Sequence, residues 1–353
     1  MPAVWLPYGS TSISIKIDHE DLAWVLPRNI SIDLPNIQEL NSFLKSFPVR
    51  RKLFLIDPSL PSGVKDFLTR NNVSGLRELV YFDMLFKEPE ETMPVESACL
   101  LSYPYFDPVI GFRGLGENLI PFYPTLWKDF KSNVFEAFRS GRKVDLKSYL
   151  KDLCNNIDLE LVVLAPWVEG SKILLKNNPL EAYEAIESFK KGLTENIDSR
   201  VEILIVSAGG DPFDESFSRA LTIFSSSFRD YSCNRLILVA EGSIGLGLDP
   251  ELLLGNNSES EMPIIMKYID FCKSLIKNSN VYVVSAIPES LLKIMIDAKA
   301  YDTLLEAYKA SRLFLPKGSK TGVITHAPFY FSENEWGYRC AGSITVLNKR
   351  CFL

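Results

Sequence analysis

Histidine is almost missing from this chain: His19 and His326 are the only two in 353 residues. Neither has a nucleophile beside it, so a Ser-His-Asp arrangement has no anchor. His19 sits in the polar run Asp18–Asp21 and reads as surface; His326 follows an apolar strand and reads as a structural histidine. Basic charge is also short. Lys and Arg number 38 against 44 Asp and Glu, a net charge of −6, and Arg50, Arg51 and Lys52 alone do not make the basic face that nucleic acid requires. No apolar run approaches the roughly 18–20 residues of a membrane span. The start, MPAVWLPYG, has no basic region followed by an apolar core, so no signal peptide is read there. The six cysteines (Cys99, Cys154, Cys233, Cys272, Cys340, Cys351) form no CxxC pair and no zinc spacing. They read as reduced thiols of a cytoplasmic protein, with a Cys340–Cys351 bridge left open.

What the chain does have is two strand-to-glycine junctions, VEILIVSAGGDPFD (Val201–Asp214) and RLILVAEGSIGLG (Arg235–Gly247). In an open α/β sheet, ligands bind beyond the carboxyl ends of strands, where glycine permits close backbone approach and helix N-termini favour anions. The spacing Gly242-x-x-Gly245-x-Gly247, with Asp249-Pro250 after it, does not fit a dinucleotide fingerprint. From Val201 onward, apolar runs alternate with amphipathic stretches, which predicts a mostly parallel sheet. Length points the same way, because single cores stop growing at about 250–300 residues.

The expected architecture is therefore α/β with two domains, each a sheet flanked by helices, and a cleft between them. Residues 1–197 with the tail 331–353 form the first domain, and residues 198–330 form a second, Rossmann-like one. In the first domain, strands are expected at Ser12–Ile17, Lys52–Ile56, Ala98–Ser102, Glu160–Ala165 and Lys172–Leu175. Helices are expected over DHEDLAWVL (Asp18–Leu26) and Asn36–Phe47, and a tail strand over Gly337–Leu347. Tyr103–Pro124 is too apolar for a linker and is read as an ordered loop on a core; loops of that length are usually functional.

Four segments, in order, resemble the nickel-dependent lactate racemase family. Leu6-Pro7-Tyr8-Gly9 precedes an alternating strand as in that family's amino terminus. GFRGLGENLIP (Gly111–Pro121) is similar to its GFSGGRKxxxP loop, SAGGDPFD (Ser207–Asp214) to its S-x-GG-x-P-x-D turn, and AEGSIGLG (Ala240–Gly247) to its AExxxGxG turn. The resemblance implies an interdomain site with a nickel pincer nucleotide that takes a hydride from a hydroxy acid. Two histidine bases, a third histidine on nickel and a covalently bound lysine would complete it. This chain departs from that pattern. Glu117 stands at the lysine position, Asp107 at the base before the loop, and Leu60 where D-x-T-R-P has arginine, while Asp57 and Ser59 keep the acid and hydroxyl. Ser218, Arg219 and Thr222 replace the family's tyrosine, glutamine and lysine. A shifted loop register would give the lysine role to a residue such as Lys128.

Asp107 and Glu117 are thus the candidate catalytic pair and candidate ligands for a hard divalent cation such as Mg²⁺ or Mn²⁺. The competing reading gives them to capping or to a salt bridge with Arg113. Candidate ligand-binding residues are Tyr8, Asp57, Ser59, Arg113, Gly209, Gly210, Asp214 and Glu241. The expected partner is a small anion such as a hydroxy carboxylate, held by the amides after Gly209–Gly210 and by the Asp57–Ser59 turn. The alternative is a non-catalytic binding or scaffold protein whose cleft is a relic.

Overall fold

Six parallel strands form the larger sheet of the computed structural model, which describes residues 3–27, 40, 42, 53–70, 76–78, 97–165, 172–176, 178–195, 200–228, 233–249, 251–254 and 263–332. In chain order the strands are β1 (Ala3–Tyr8), β2 (Thr11–Lys16), β3 (Leu22–Leu26), β4 (Leu53–Ile56), β5 (Leu76–Glu78), β6 (Ser97–Ser102), β7 (Tyr105–Asp107), β8 (Gly111–Arg113), β9 (Asp158–Ala165) and β10 (Lys172–Lys176). They continue as β11 (Thr194–Glu195), β12 (Ile203–Ser207), β13 (Arg235–Val239), β14 (Asn280–Val284), β15 (Lys299–Tyr301), β16 (Thr321–Ile324) and β17 (Phe331–Ser332).

The larger sheet has the order β15-β14-β13-β12-β16-β3. Its central strands are continuous apolar runs, ILIVS, RLILV and NVYVV, buried along nearly their whole length. That is the pattern of parallel strands covered on both faces. From β12 the chain winds outward through β13, β14 and β15, then returns to place β16 on the other side of β12. The order therefore reverses between β12 and β16, which opens a crevice at their carboxyl ends.

The smaller sheet repeats the device. Its order is β10-β9-β6-β4-β5, parallel except for the antiparallel β9–β10 pair. Because β5 lies on one side of β4 and β6 on the other, the reversal falls between β4 and β6. One apolar cluster runs through both sheets, joining Leu55, Leu100 and Leu161 to Leu204, Leu236 and Val283. A second cluster packs the β1–β2 hairpin on the opposite face of the larger sheet, through Val4, Leu6, Ile15 and Ile17 against Ile203, Ile205 and Ile237.

Local signals explain the ends of several elements. Asp145 caps the helix Leu146–Cys154 by accepting from the Ser148 amide, and Gly141, at φ 71°, stops the helix Pro124–Ser140. The segment 102–121 is buried throughout; it folds as the β7–β8 hairpin and a 3₁₀ turn, Glu117–Phe122.

One reading changes. DHEDLAWVL is not a helix: Asp18–Asp21 turns, and Leu22–Leu26 is strand β3 beside β16. A short apolar run has no period long enough to separate helix from strand, and pairing with a buried strand decides it. β3 accordingly belongs to the larger sheet, although its sequence position groups it with the first domain. The helix expected at Asn36–Phe47 lies almost wholly outside the described residues, as does the tail strand at Gly337–Leu347. Cys99, Cys154, Cys233 and Cys272 are free thiols; Cys340 and Cys351 lie outside the described residues. Among the described residues no helix is long and apolar enough to cross a membrane.

Candidate functional site

The two crevices face one another. Asp57 leaves the carboxyl end of β4 and folds back on its own turn: its Oδ1 accepts from the Ser59 amide at 2.9 Å and from the Ser59 hydroxyl at 2.6 Å. Its Oδ2 accepts from the Asn118 side-chain amide at 2.8 Å. Ser59 Oγ in turn accepts from the Tyr103 amide at 3.2 Å, which ties the β4 turn to the strand end of β6. Both residues are buried.

Arg113 ends β8 and is only 1% exposed, among the largest fully buried side chains of the protein. It donates to Asn118 Oδ1 at 3.3 Å, lies 3.4 Å from Glu117 Oε1, and stacks 5.2 Å from the centre of the Tyr105 ring. Glu117 spends both oxygens on its own loop, accepting from the Gly114 amide at 2.8 Å and the Leu115 amide at 2.9 Å. Burial, with the Asp57 charge added, pushes its pKa up to about 7 against the pull of Arg113. Asp107 Oδ1 accepts from the amides of Val109 and Ile110 and, at 2.5 Å, from the Tyr268 hydroxyl on the helix Ile264–Ile276. Its Oδ2 has no hydrogen-bond partner among the described residues, and burial raises its pKa although Arg113 opposes the rise. Asp107 and Glu117 thus both hold loop backbone. Among the described residues no group of three or more His, Cys, Asp or Glu is placed to hold a metal.

On the other side, Gly209 and Gly210 take φ of 97° and 75° after β12. The space beside them is filled by the protein itself. A Cβ on Gly209 would lie 3.0 Å from Pro328, and one on Gly210 would lie 2.9 Å from Pro7 and 3.0 Å from the Gly9 carbonyl. The amides that follow are also spent: Asp211 donates to Gly9, and Phe213 and Asp214 donate to Gly210. The glycines therefore let Pro328 and the β1–β2 turn approach, where the sequence offered those amides to an anion. Asp214, Tyr8 and Glu241 form a neighbouring group. Asp214 Oδ2 accepts from the amides of Gly9 and Glu241 at 2.8 and 3.2 Å, and burial raises its pKa. Burial, then the charges of Glu241 and Asp214, raise that of Tyr8.

Two latches cross the crevice. Asp211 Oδ2 accepts from the amide (2.8 Å) and the hydroxyl of Ser62, capping the helix Ser62–Arg70 from the other sheet. Tyr268–Asp107 is the second. Between them lies a closed cavity too tight for a water molecule, lined by Asp57, Pro58, Ser59, Tyr105, Arg113, Asn118, Phe213 and Arg219. Asp57, Ser59 and Arg113 are brought together there. Asp107, Glu117, Gly209, Gly210, Asp214, Tyr8 and Glu241 are not among its lining residues.

Asn118, Tyr105, Phe213 and Arg219 were missed as site residues. For Arg219 a signal existed: it replaces a polar residue of the resembled family one turn into the helix after the glycine turn. It donates to the Pro212 carbonyl at 2.9 Å and lies 3.8 Å from Glu215. Glu215 has its own pKa raised by burial and by the neighbouring Asp211 carboxyl.

The donors here differ from what a nickel pincer nucleotide requires. Glu117, at the position that the sequence resemblance gives to a covalent lysine, accepts from two amides, and the closed cavity has no room for a nucleotide. His326, at the carboxyl end of β16, pairs with Thr325 Oγ1 at 2.9 Å; burial lowers its pKa to about 4, so the ring is neutral near pH 7.

Neither a family model nor a curated protein matches the chain. Among solved structures, the lactate racemase apoprotein from Thermoanaerobacterium thermosaccharolyticum superposes with a TM-score of 0.58 at 14% identity, over 94% of this chain and 100% of that one. A protein from Thermotoga maritima superposes with a TM-score of 0.51 at 10% identity, over 84% and 97% of the two chains. The chain shares the two-sheet α/β fold of the lactate racemase apoprotein across nearly its full length.

Proposed function

We propose that this protein binds a small carboxylate of the hydroxy-acid class where the two crevices meet, and that it does not run nickel-pincer racemisation. One observation carries the reading: Arg113, from the β7–β8 hairpin, and Arg219, from the helix Phe217–Phe228 that follows β12, line a single closed cavity beside Asp57 and Asn118. An arginine fork is the side chain best matched to a planar carboxylate. Arg219 is the residue assigned to the ligand carboxylate. Asp57 and Asn118 are assigned to a hydroxyl, and Tyr105 and Phe213 to the apolar part. Binding requires the sheets to part, because the closed cavity takes no water; the Ser62–Asp211 and Tyr268–Asp107 latches are the contacts that would open. The fold shared with a lactate racemase apoprotein supports the ligand class. The tight closure favours a second reading, a relic cleft whose polar residues only join the two halves.

Calorimetric titration with L- and D-lactate separates the readings. Saturable binding by the wild type, lost in Arg219→Gln, with no interconversion of enantiomers in the presence of nickel, is the expected result. No saturable heat with either enantiomer would leave the relic reading, and racemisation would overturn the second half of the proposal.

A further inference from the structure

At the opposite end of the larger sheet lies a second, open cavity, and we propose that it binds a small organic phosphate. Here β14 begins, and the helices Ile264–Ile276 and Glu289–Ile296 both end. The cavity holds about 250 Å³ and is lined by Lys273, Lys277, Lys293, Ile276, Ile294 and Asp297, among others. That is room for roughly eight waters, at about 30 Å³ each, or for a phosphoryl group with a compact apolar body. Carboxyl-end crevices are the usual ligand sites of parallel sheets, and this cavity is at the amino end, so it is separate from the crevice described above.

Charge and shape both select the ligand. Three lysines line the cavity, and none has a side-chain hydrogen bond or ion pair among the described residues. Opposing them are Asp297 and two helix C-termini, each worth roughly half a negative charge. The balance is a surplus of about one positive charge in a protein whose net charge is −6. Lysines at helix ends commonly complement the dipole, and that accounts for one on each helix; Lys277 is the third. The floor is apolar, made by Ile276, Val281 and Ile296, all buried, while Ile294 stands at the rim 43% exposed. Flexible ammonium point charges suit the tetrahedral spread of oxygens on a phosphate, whereas a planar carboxylate is better met by an arginine fork. Ligand and floor together specify a phosphate monoester with an apolar substituent.

The test is calorimetric titration of the full chain with phenyl phosphate, with inorganic phosphate alongside. The expected result is saturable binding of phenyl phosphate, tighter than inorganic phosphate, and weaker by more than about tenfold in the double variant Lys277→Gln/Lys293→Gln, as loss of two charged hydrogen bonds predicts. Both lysines are exposed, so the variant keeps its fold. Ile294→Asp is expected to weaken phenyl phosphate more than inorganic phosphate, and Arg219→Gln to leave both unchanged. Absence of saturable binding, or equal affinity in the lysine variant, would overturn the inference. Loss of binding in Arg219→Gln alone would place the phosphate in the other crevice and overturn it as well.

Discussion

Replacing Glu117 by glutamine should flatten the pH dependence of stability. A carboxyl group has an ordinary pKa near 4.5 and is pushed to about 7 here, because burial and Asp57 outweigh Arg113. Between those values the folded protein holds a proton that the unfolded chain has released. Stability is therefore fully present below the unfolded pKa and is lost as pH rises towards and past 7. From pH 5 to pH 8 the loss attributable to this one group is on the order of 2–3 kcal/mol. Glu117→Gln removes the titration. It also costs about 1–3 kcal/mol at every pH, since an amide nitrogen cannot accept from Gly114 or Leu115. The assay is urea unfolding followed by intrinsic fluorescence at pH 5 and pH 8 for both proteins. His326 titrates in the opposite sense but is common to both, so it cancels in the difference. The wild type should lose roughly 2–3 kcal/mol more than the variant between the two pH values. Parallel pH profiles would refute the assignment of a raised pKa to Glu117.

Other residues give sharper local tests. Gly322 on β16 has the Trp24 ring against its face, so Gly322→Ala should destabilise by about 1–3 kcal/mol of overpacking, read as a lowered thermal midpoint. An unchanged midpoint would mean that the two strands are not packed as described. Tyr268→Phe removes the donor to Asp107 and should cost about 1.5–3 kcal/mol, with faster proteolysis between the sheets. The His326 imidazole should show no titration by NMR from pH 5 to pH 8, since burial holds it neutral down to about pH 4; a midpoint near 6.5 would contradict its placement.

The fold was legible wherever the signal was an uninterrupted run with a clear stop. KLFLI, ACLLS, VEILIVS and RLILVA all became strands within a residue or two of their apolar limits. LAWVL failed because five apolar residues carry no period, and its partner strand lies some 300 residues away. In the candidate site, the place of Asp57 and Ser59 after the strand KLFLI was legible, whereas Arg113 stood out only through the resemblance of its loop. Glycine residues at 209 and 210 were conspicuous in sequence, yet the reasons for them are distant in the chain: Pro328 presses on Gly209, and Pro7 with the Gly9 turn presses on Gly210. The same holds for Asp107 and Glu117: carboxylates beside a glycine loop suggested chemistry, and only the loop's backbone geometry reveals which amides they hold. Asn118 and Phe213 carry no sequence signal of their own and become site residues through the facing of two sheets.

The central claim is that Arg219 takes a ligand carboxylate, and the most direct measurement is the ¹⁵N resonance of its Nε–H during titration with L-lactate. Assignment is made by its loss in Arg219→Lys. The account predicts a saturable shift of that resonance, parallel to the calorimetric isotherm. A resonance that stays fixed while lactate binds would place the ligand elsewhere and contradict the account.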